Sequence, residues 1–364
     1  MPVLFPSSIH EILRKWGRPG QIGFGLSSWP TDFSRDILPI RCHSHNDYWR
    51  EVPLYSAISA GCISVEADIW LYENELFVGH DIVSLTPNRT LKNLYINPLL
   101  DILDKQNPGH TLMPDPDAHI HGVFDTTPEQ PLILLIDFKT AGPATYPFLM
   151  AALEPFRSKG YLTHLNGTDL IPGPILVVGS GDAPFDLIAS DSDNPKHDIF
   201  YDAPLELMYE GPNGETTTPG GKTTRSHADR WPGGEPPSAN TIGLPQNNGH
   251  DDMKSADPNI FTSQNSYYAS TSFTETIGLV LDGELSAEQV ELLRGQVRGA
   301  HKRGLKARYW ELPFWPVGLR DRVWNVVVRE GVDLLNVDDL EGATKRNWER
   351  EDGCLGAKRG VGAT

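Results

Sequence analysis

Basic residues, cysteines and long apolar runs are all scarce in this chain. Its 364 residues carry 31 lysines and arginines against 48 aspartates and glutamates, a formal net charge of −17. A field of that sign repels polyanions, so nucleic acid is not an expected partner. A small phosphate ester remains compatible, because one divalent cation reverses the local potential inside a cleft. The three cysteines, Cys42, Cys62 and Cys354, are an odd number without metal-binding spacing. They argue against a disulfide framework, and Cys42 and Cys62 read as small buried thiols in strands. No stretch approaches the roughly 18 apolar residues of a membrane span, and the N-terminus lacks the apolar run of a signal peptide. A soluble, intracellular chain without a transmembrane segment is the expectation, and the pattern is silent on oligomeric state.

What the chain does have is enough apolar material for a sizeable core. It is 39% hydrophobic with nine Trp and thirteen Phe, beside 34 Gly and 30 Pro that imply many loops. Strand-length apolar runs occur at Leu38 to His43, Ile63 to Ile69, Leu76 to Gly79, Leu132 to Asp137, Ile175 to Val178, Asp198 to Tyr201, Thr276 to Leu281, Leu305 to Tyr309 and Val332 to Val337. The bend Tyr72-Glu-Asn-Glu makes the second and third runs one excursion of a single strand, which leaves the eight strands of a closed barrel.

Helical patterns separate most of these runs. The clearest is Ser286 to Arg303, where Ser286 and Gln289 form a capping box and Gly304 is the stop. Another covers Leu319 to Glu330. Strands alternating with helices predict an α/β fold of one domain, a TIM-type (β/α)8 barrel. Its expected limits are 38–345, after an extension over 1–37 that holds a short helix at Ile9 to Trp16, and before a tail over 346–364. A Gly-, Pro-, Asn- and Thr-rich stretch at about 210–263 has no hydrophobic period and reads as a long disordered insertion.

The segment Arg41 to Asp81 concentrates the chemistry, because its polar groups stand where apolar runs end. Alternation along a strand puts Glu66 and Asp68 on one face, toward the barrel mouth. Adjacent carboxylates repel, so a cation is expected between them, and oxygen-only ligands favour Mg²⁺ or Ca²⁺. Asp137 ends the most apolar strand as a third carboxylate, sharing a face with Lys139, which either meets phosphate or pairs with Asp137. His45 and His80 flank the carboxylate pair, as a proton acceptor and a proton donor require. His43 shares a face with His45, and the pattern leaves open which is the first catalytic histidine. Asn46 is a candidate for binding substrate or bracing an imidazole, Arg308 for binding phosphate, and Trp310 for stacking, against a packing role. Asp338 and Asp339 read as substrate contacts or turn caps.

These residues carry a resemblance. The Gly-x-x-Ser-Val-Glu-Ala-Asp strand at Gly61 to Asp68, the Val-Gly-His-Asp at Val78 to Asp81 and the Ile-Asp-Phe-Lys at Ile136 to Lys139 resemble the PLC-like phosphodiesterase superfamily. That superfamily includes glycerophosphodiester phosphodiesterases and sphingomyelinase D enzymes. The blocks HSHNDY, SVEADIWL, FVGHD, IDFK, NSYYAS, GLKARYWELPFWP and GVDLLNVDDL are most similar to the fungal altered inheritance of mitochondria protein 6 group. The resemblance implies a TIM barrel and a phosphoric diester hydrolase acting on a small phosphodiester or a lipid. It also implies a Mg²⁺ or Ca²⁺ ion on Glu66, Asp68 and Asp137, with His45 or His43 acting beside His80. Where glycerophosphodiesterases have His-Arg-Gly, this chain has His45-Asn-Asp, so the basic residue after histidine is missing. Two other readings remain: a zinc amidohydrolase-type barrel built on His43-Ser-His45, and a silent barrel used for binding.

Overall fold

The computed structural model describes residues 34–108, 120–190, 194–214, 256–281 and 283–344, with a few single positions outside these ranges. The expected N-terminal helix, most of the insertion, the C-terminal tail and Cys354 lie outside the described residues. Among the described residues, eleven strands occur in this order: β1 Ile40–Ser44, β2 Cys62–Tyr72, β3 Glu75–Val78, β4 Leu132–Phe138, β5 His164–Asn166, β6 Asp169–Ile171, β7 Ile175–Gly181, β8 Ile199–Pro204, β9 Ser266–Ser272, β10 Lys306–Trp310 and β11 Leu334–Val337.

Eight of them pair in parallel in the order β1, β11, β10, β9, β8, β7, β4, β2, and the pairing of β1 with β2 closes the barrel. β3 folds back antiparallel on β2 through Glu73 and Asn74, both at positive φ, so the two runs are one hairpin as the Tyr72 bend predicts. β5 and β6 form a separate hairpin. Outward residues such as Val65, Ala67, Ile69, Leu134 and Ile136 are fully buried in the surrounding core, as parallel strands packed on both faces require. The helix Ala287–Lys302 carries the expected capping box of Ser286 and Gln289, and Val317–Arg329 precedes the last strand. No helix among the described residues is long and apolar enough to cross a membrane.

Two expectations are corrected. Cys42 and Cys62 are joined in a disulfide. They lie on the adjacent strands β1 and β2 with their Cα atoms 4.7 Å apart. Odd cysteine arithmetic does not see such a pair, because a third cysteine can simply be left over. The run Thr276 to Leu281 is not a strand. The barrel strand there is β9, a few residues earlier, followed by the short helix Phe273–Thr276. β9 escapes a search for apolar runs because its buried Ser266, Ser270, Thr271 and Ser272 are polar.

Candidate active site

The barrel register brings the expected groups to one end. On β2, Glu66 pairs with Leu135 of β4 and Asp68 with Asp137, so Asp68 and Asp137 share a level above Glu66. Each of these three carboxylates offers an oxygen within 4.8 Å of the others, the group among the described residues suited to holding a metal ion. Lys139 Nζ donates to Asp137 Oδ2 at 2.6 Å and lies 3.0 Å from Asp68 Oδ2. Burial disfavours its ammonium, but Asp137 and Asp68 outweigh that and hold its pKa above the ordinary lysine value.

The other oxygens of the two aspartates, Asp68 Oδ1 and Asp137 Oδ1, are buried without a hydrogen-bond partner. A buried anionic oxygen left unpaired is costly, and a cation is the partner that removes the cost. Burial pushes the Asp137 carboxyl up, and the charges of Asp68 and Glu66 push it further against Lys139. A β-carbon on Gly181 would stand 1.8 Å from Asp137 Oδ1, so glycine at that position gives the oxygen its room. The donor set, all carboxylate oxygen, fits Mg²⁺ or Ca²⁺.

His43 in β1 and His45, just past the end of that strand, part company. His43 is wholly buried, with Nδ1 2.7 Å from Ser64 Oγ and Nε2 3.0 Å from Glu66 Oε2. Tyr268 donates its hydroxyl proton to Ser64 Oγ, which leaves the Ser64 proton for His43 Nδ1. His43 is therefore the neutral tautomer carrying its proton on Nε2 and donating to Glu66. Burial and the charge of Arg308 agree, lowering its pKa to about 4. Both ring nitrogens are occupied, so the His43-Ser-His45 zinc arrangement is not formed.

His45 faces the mouth, with Nδ1 2.9 Å from Asp338 Oδ1 at the end of β11. Burial works against its cation, but Glu66 and Asp338 prevail and raise its pKa. His80 is half exposed beyond β3, with Nδ1 3.7 Å from Asp68 Oδ2, and that contact leads in raising its pKa. Trp49 packs on its ring at 4.9 Å between centroids. The Tyr48 hydroxyl ties these parts together, at 2.5 Å from Asn46 Oδ1, 2.8 Å from Asp68 Oδ2 and 3.4 Å from His80 Nδ1. Burial, then Asp68, holds that phenol protonated far above the ordinary tyrosine range.

Asn46, a candidate for binding substrate or bracing an imidazole, is buried with Nδ2 3.5 Å from His45 Nδ1, and Arg308, expected to bind phosphate, is buried and spent on protein partners. Arg308 donates to Ser270 Oγ at 3.0 Å, Asn336 Oδ1 at 2.9 Å and Asp202 Oδ2 at 3.1 Å, inside the barrel. Lys139 and Trp310 stay partly exposed. Pattern reasoning missed Tyr48, the partnership of Asp338 with His45, and Arg50. The Arg50 guanidinium donates to the backbone oxygens of His45, Val337 and Asp338, pinning the strand ends that carry the His45 and Asp338 pair. Only the position of Asp338 directly after the last strand offered a signal.

The comparisons with known proteins bear on the family of the chain. An AIM6-like phosphodiesterase domain matches residues 31–202, which contain all three carboxylates, Lys139 and the three histidines. The altered inheritance of mitochondria protein 6 homolog of Arthroderma benhamiae is 38% identical over 325 residues, covering 86% of each chain. The chain belongs to the altered inheritance of mitochondria protein 6 family. The family's protein in Eremothecium gossypii is 33% identical over 318 residues, 86% of this chain and 71% of that one. The Saccharomyces cerevisiae member is 31% identical over 324 residues, 84% of this chain and 70% of that one. No solved structure matches the chain.

Proposed function

We propose that this protein is a metal-dependent phosphoric diester hydrolase using His45 and His80 as its base and acid. The observation that carries the reading is the pair of buried, unpartnered oxygens Asp68 Oδ1 and Asp137 Oδ1, flanked by two imidazoles of raised basicity. A cation held by Glu66, Asp68 and Asp137 would supply positive charge to a nonbridging phosphate oxygen. His43 holds Glu66 in place through its Nε2 proton. Lys139 orients Asp68 and Asp137 and adds a second positive charge beside the phosphate.

His45 is assigned as base. Asp338 accepts a hydrogen bond from Nδ1–H, which fixes the tautomer and leaves Nε2 free to accept a proton from the attacking hydroxyl or water. His80, at the open side of the site with its basicity raised by Asp68, gives its proton to the leaving oxygen. Tyr48, unable to ionise, holds the Asp68 carboxylate toward His80.

The test is hydrolysis of a broad panel of phosphodiesters by the purified chain with Mg²⁺ or Ca²⁺ added, products being read by phosphorus NMR. Turnover that chelation abolishes and either ion restores is expected. Turnover that survives exhaustive chelation, stoichiometric zinc in the purified protein, or no hydrolysis of any diester would overturn the reading.

A further inference from the structure

Large apolar side chains that stand exposed are unevenly placed on this barrel. Among the described residues, only Leu38, Leu170, Ile171 and Ile260 lie on segments that lead into strands, at the end away from the site. The others follow the C-terminal ends of strands, on the face that carries His45 and His80. They include Val83 at 89%, Phe314 at 79%, Leu279 at 73% and Trp315 at 69% exposure.

Their distribution around the mouth is one-sided as well. They belong to the excursions after β9, β10, β1 and the β2–β3 hairpin, and in the closed order these strands run consecutively with β11 between β10 and β1. The described parts of the excursions after β4, β7 and β8 expose no large apolar side chain. The apolar half of the rim therefore stands over the strands that supply His45, Glu66 and Asp68, and Trp49 within it touches the His80 ring. Apolar exposure of this kind, gathered beside a catalytic mouth, marks a surface that meets another apolar body.

We propose that this half-rim seats the mouth on the surface of a zwitterionic bilayer, so that the diester hydrolysed is a lipid still anchored by its acyl chains. The inference rests on the diesterase reading above and names its substrate class. Charge selects the membrane type. With a net charge of −17, and with Glu51, Asp81 and Asp338 exposed along the same rim, the face is repelled by anionic lipid and not by neutral headgroups. A second copy of the chain is a poor occupant, because it brings the same charge and would close both mouths to substrate. Aromatic side chains such as Trp315 and Phe314 suit the headgroup boundary, where their rings bury apolar area while staying near water.

The experiment is sedimentation of the full chain with sucrose-loaded phosphatidylcholine vesicles, comparing wild type with Trp315→Glu, Val83→Glu and Leu170→Glu. Wild type and Leu170→Glu should partition onto the vesicles, while Trp315→Glu and Val83→Glu each lose about tenfold or more of that partitioning. Phosphatidylserine mixed into the vesicles should weaken binding. The proposal is overturned if wild type stays in the supernatant, if Leu170→Glu costs as much as the rim variants, or if the rim variants bind as wild type does. It is also overturned if light scattering shows a dimer that Trp315→Glu dissolves. Hydrolysis of a water-soluble diester is measured in parallel and should be unchanged in Trp315→Glu. Vesicle binding without any diester hydrolysis would sink the reaction and leave the docking surface standing, and the converse pattern would do the reverse.

Discussion

His43 in β1 and His45 just past its end stand two residues apart, yet they live in different chemical worlds. The layer around His43 closes its hydrogen bonds: Tyr268 to Ser64, Ser64 to His43, His43 to Glu66, and Arg308 to Ser270, Asn336 and Asp202. Asp202 Oδ1 is its one buried oxygen without a partner. The layer above, at the mouth, leaves Asp68 Oδ1 and Asp137 Oδ1 open, and it exposes half of His80. A saturated polar network fixes a shape, and an unsaturated one has capacity left for a ligand. The same residue types thus form a nearly closed network one level down and an open one at the mouth.

Exchanging the two imidazoles is the strongest way to break this contrast. His45→Ala should lower kcat/KM by about 10² to 10⁴, the range of a lost general base, with little change in the melting temperature at alkaline pH, where the His45 and Asp338 pair no longer contributes to stability. His43→Ala should act on stability, because it strands Ser64 and Glu66 in the interior at about 1–3 kcal/mol for each unsatisfied group. Steady-state kinetics and thermal melts on both variants decide between them. A His43→Ala protein as stable as wild type but as inactive as His45→Ala would reverse the assignment.

Much of the mouth was legible in the sequence, because strand alternation alone places Glu66 with Asp68 and Asp137 with Lys139. Fold class was legible for the same reason, through apolar runs spaced by helices. The interior layer was not. Arg308 looks like a phosphate ligand when only its place near a strand exit is known. Its partners Asp202, Ser270 and Asn336 come from three other strands, and nothing local announces them. The contacts that set His43 apart from His45 come from Ser64 and, through it, Tyr268, more than 200 residues further along the chain. β9 was misplaced because a strand whose inward face is serine and tyrosine has no hydrophobic signature.

Arg308 provides the second test. If its charge is spent inside the barrel, Arg308→Met leaves Asp202 buried and unpaired and should destabilise the fold by about 3–5 kcal/mol in chemical denaturation. Adding Asp202→Leu should recover much of that loss, since an apolar pair of similar volume carries no desolvation cost. A stable Arg308→Met protein with a raised KM would instead place the guanidinium at the phosphate, as the sequence alone suggested.

The smallest expected effect sharpens the contrast most finely, because it concerns one hydrogen bond at the mouth. Asp338 lies 2.9 Å from His45 Nδ1 and helps Glu66 to raise its pKa above 6.5. As a base, His45 must be neutral, so activity falls as pH drops through that raised value. Asp338→Asn removes one of the charges favouring the imidazolium, so the acidic limb of the kcat/KM profile should move to lower pH. The plateau should fall by about tenfold, through loss of tautomer and orientation. The stability sign runs the other way. A raised folded pKa means that the pair stabilises the fold below the unfolded value near 6.5, and that this contribution is lost as pH rises through the folded pKa. Asp338→Asn should therefore lower the melting temperature more at pH of about 5 than at about 9. An unmoved acidic limb would assign it to another group and return Asp338 to the role of a turn residue.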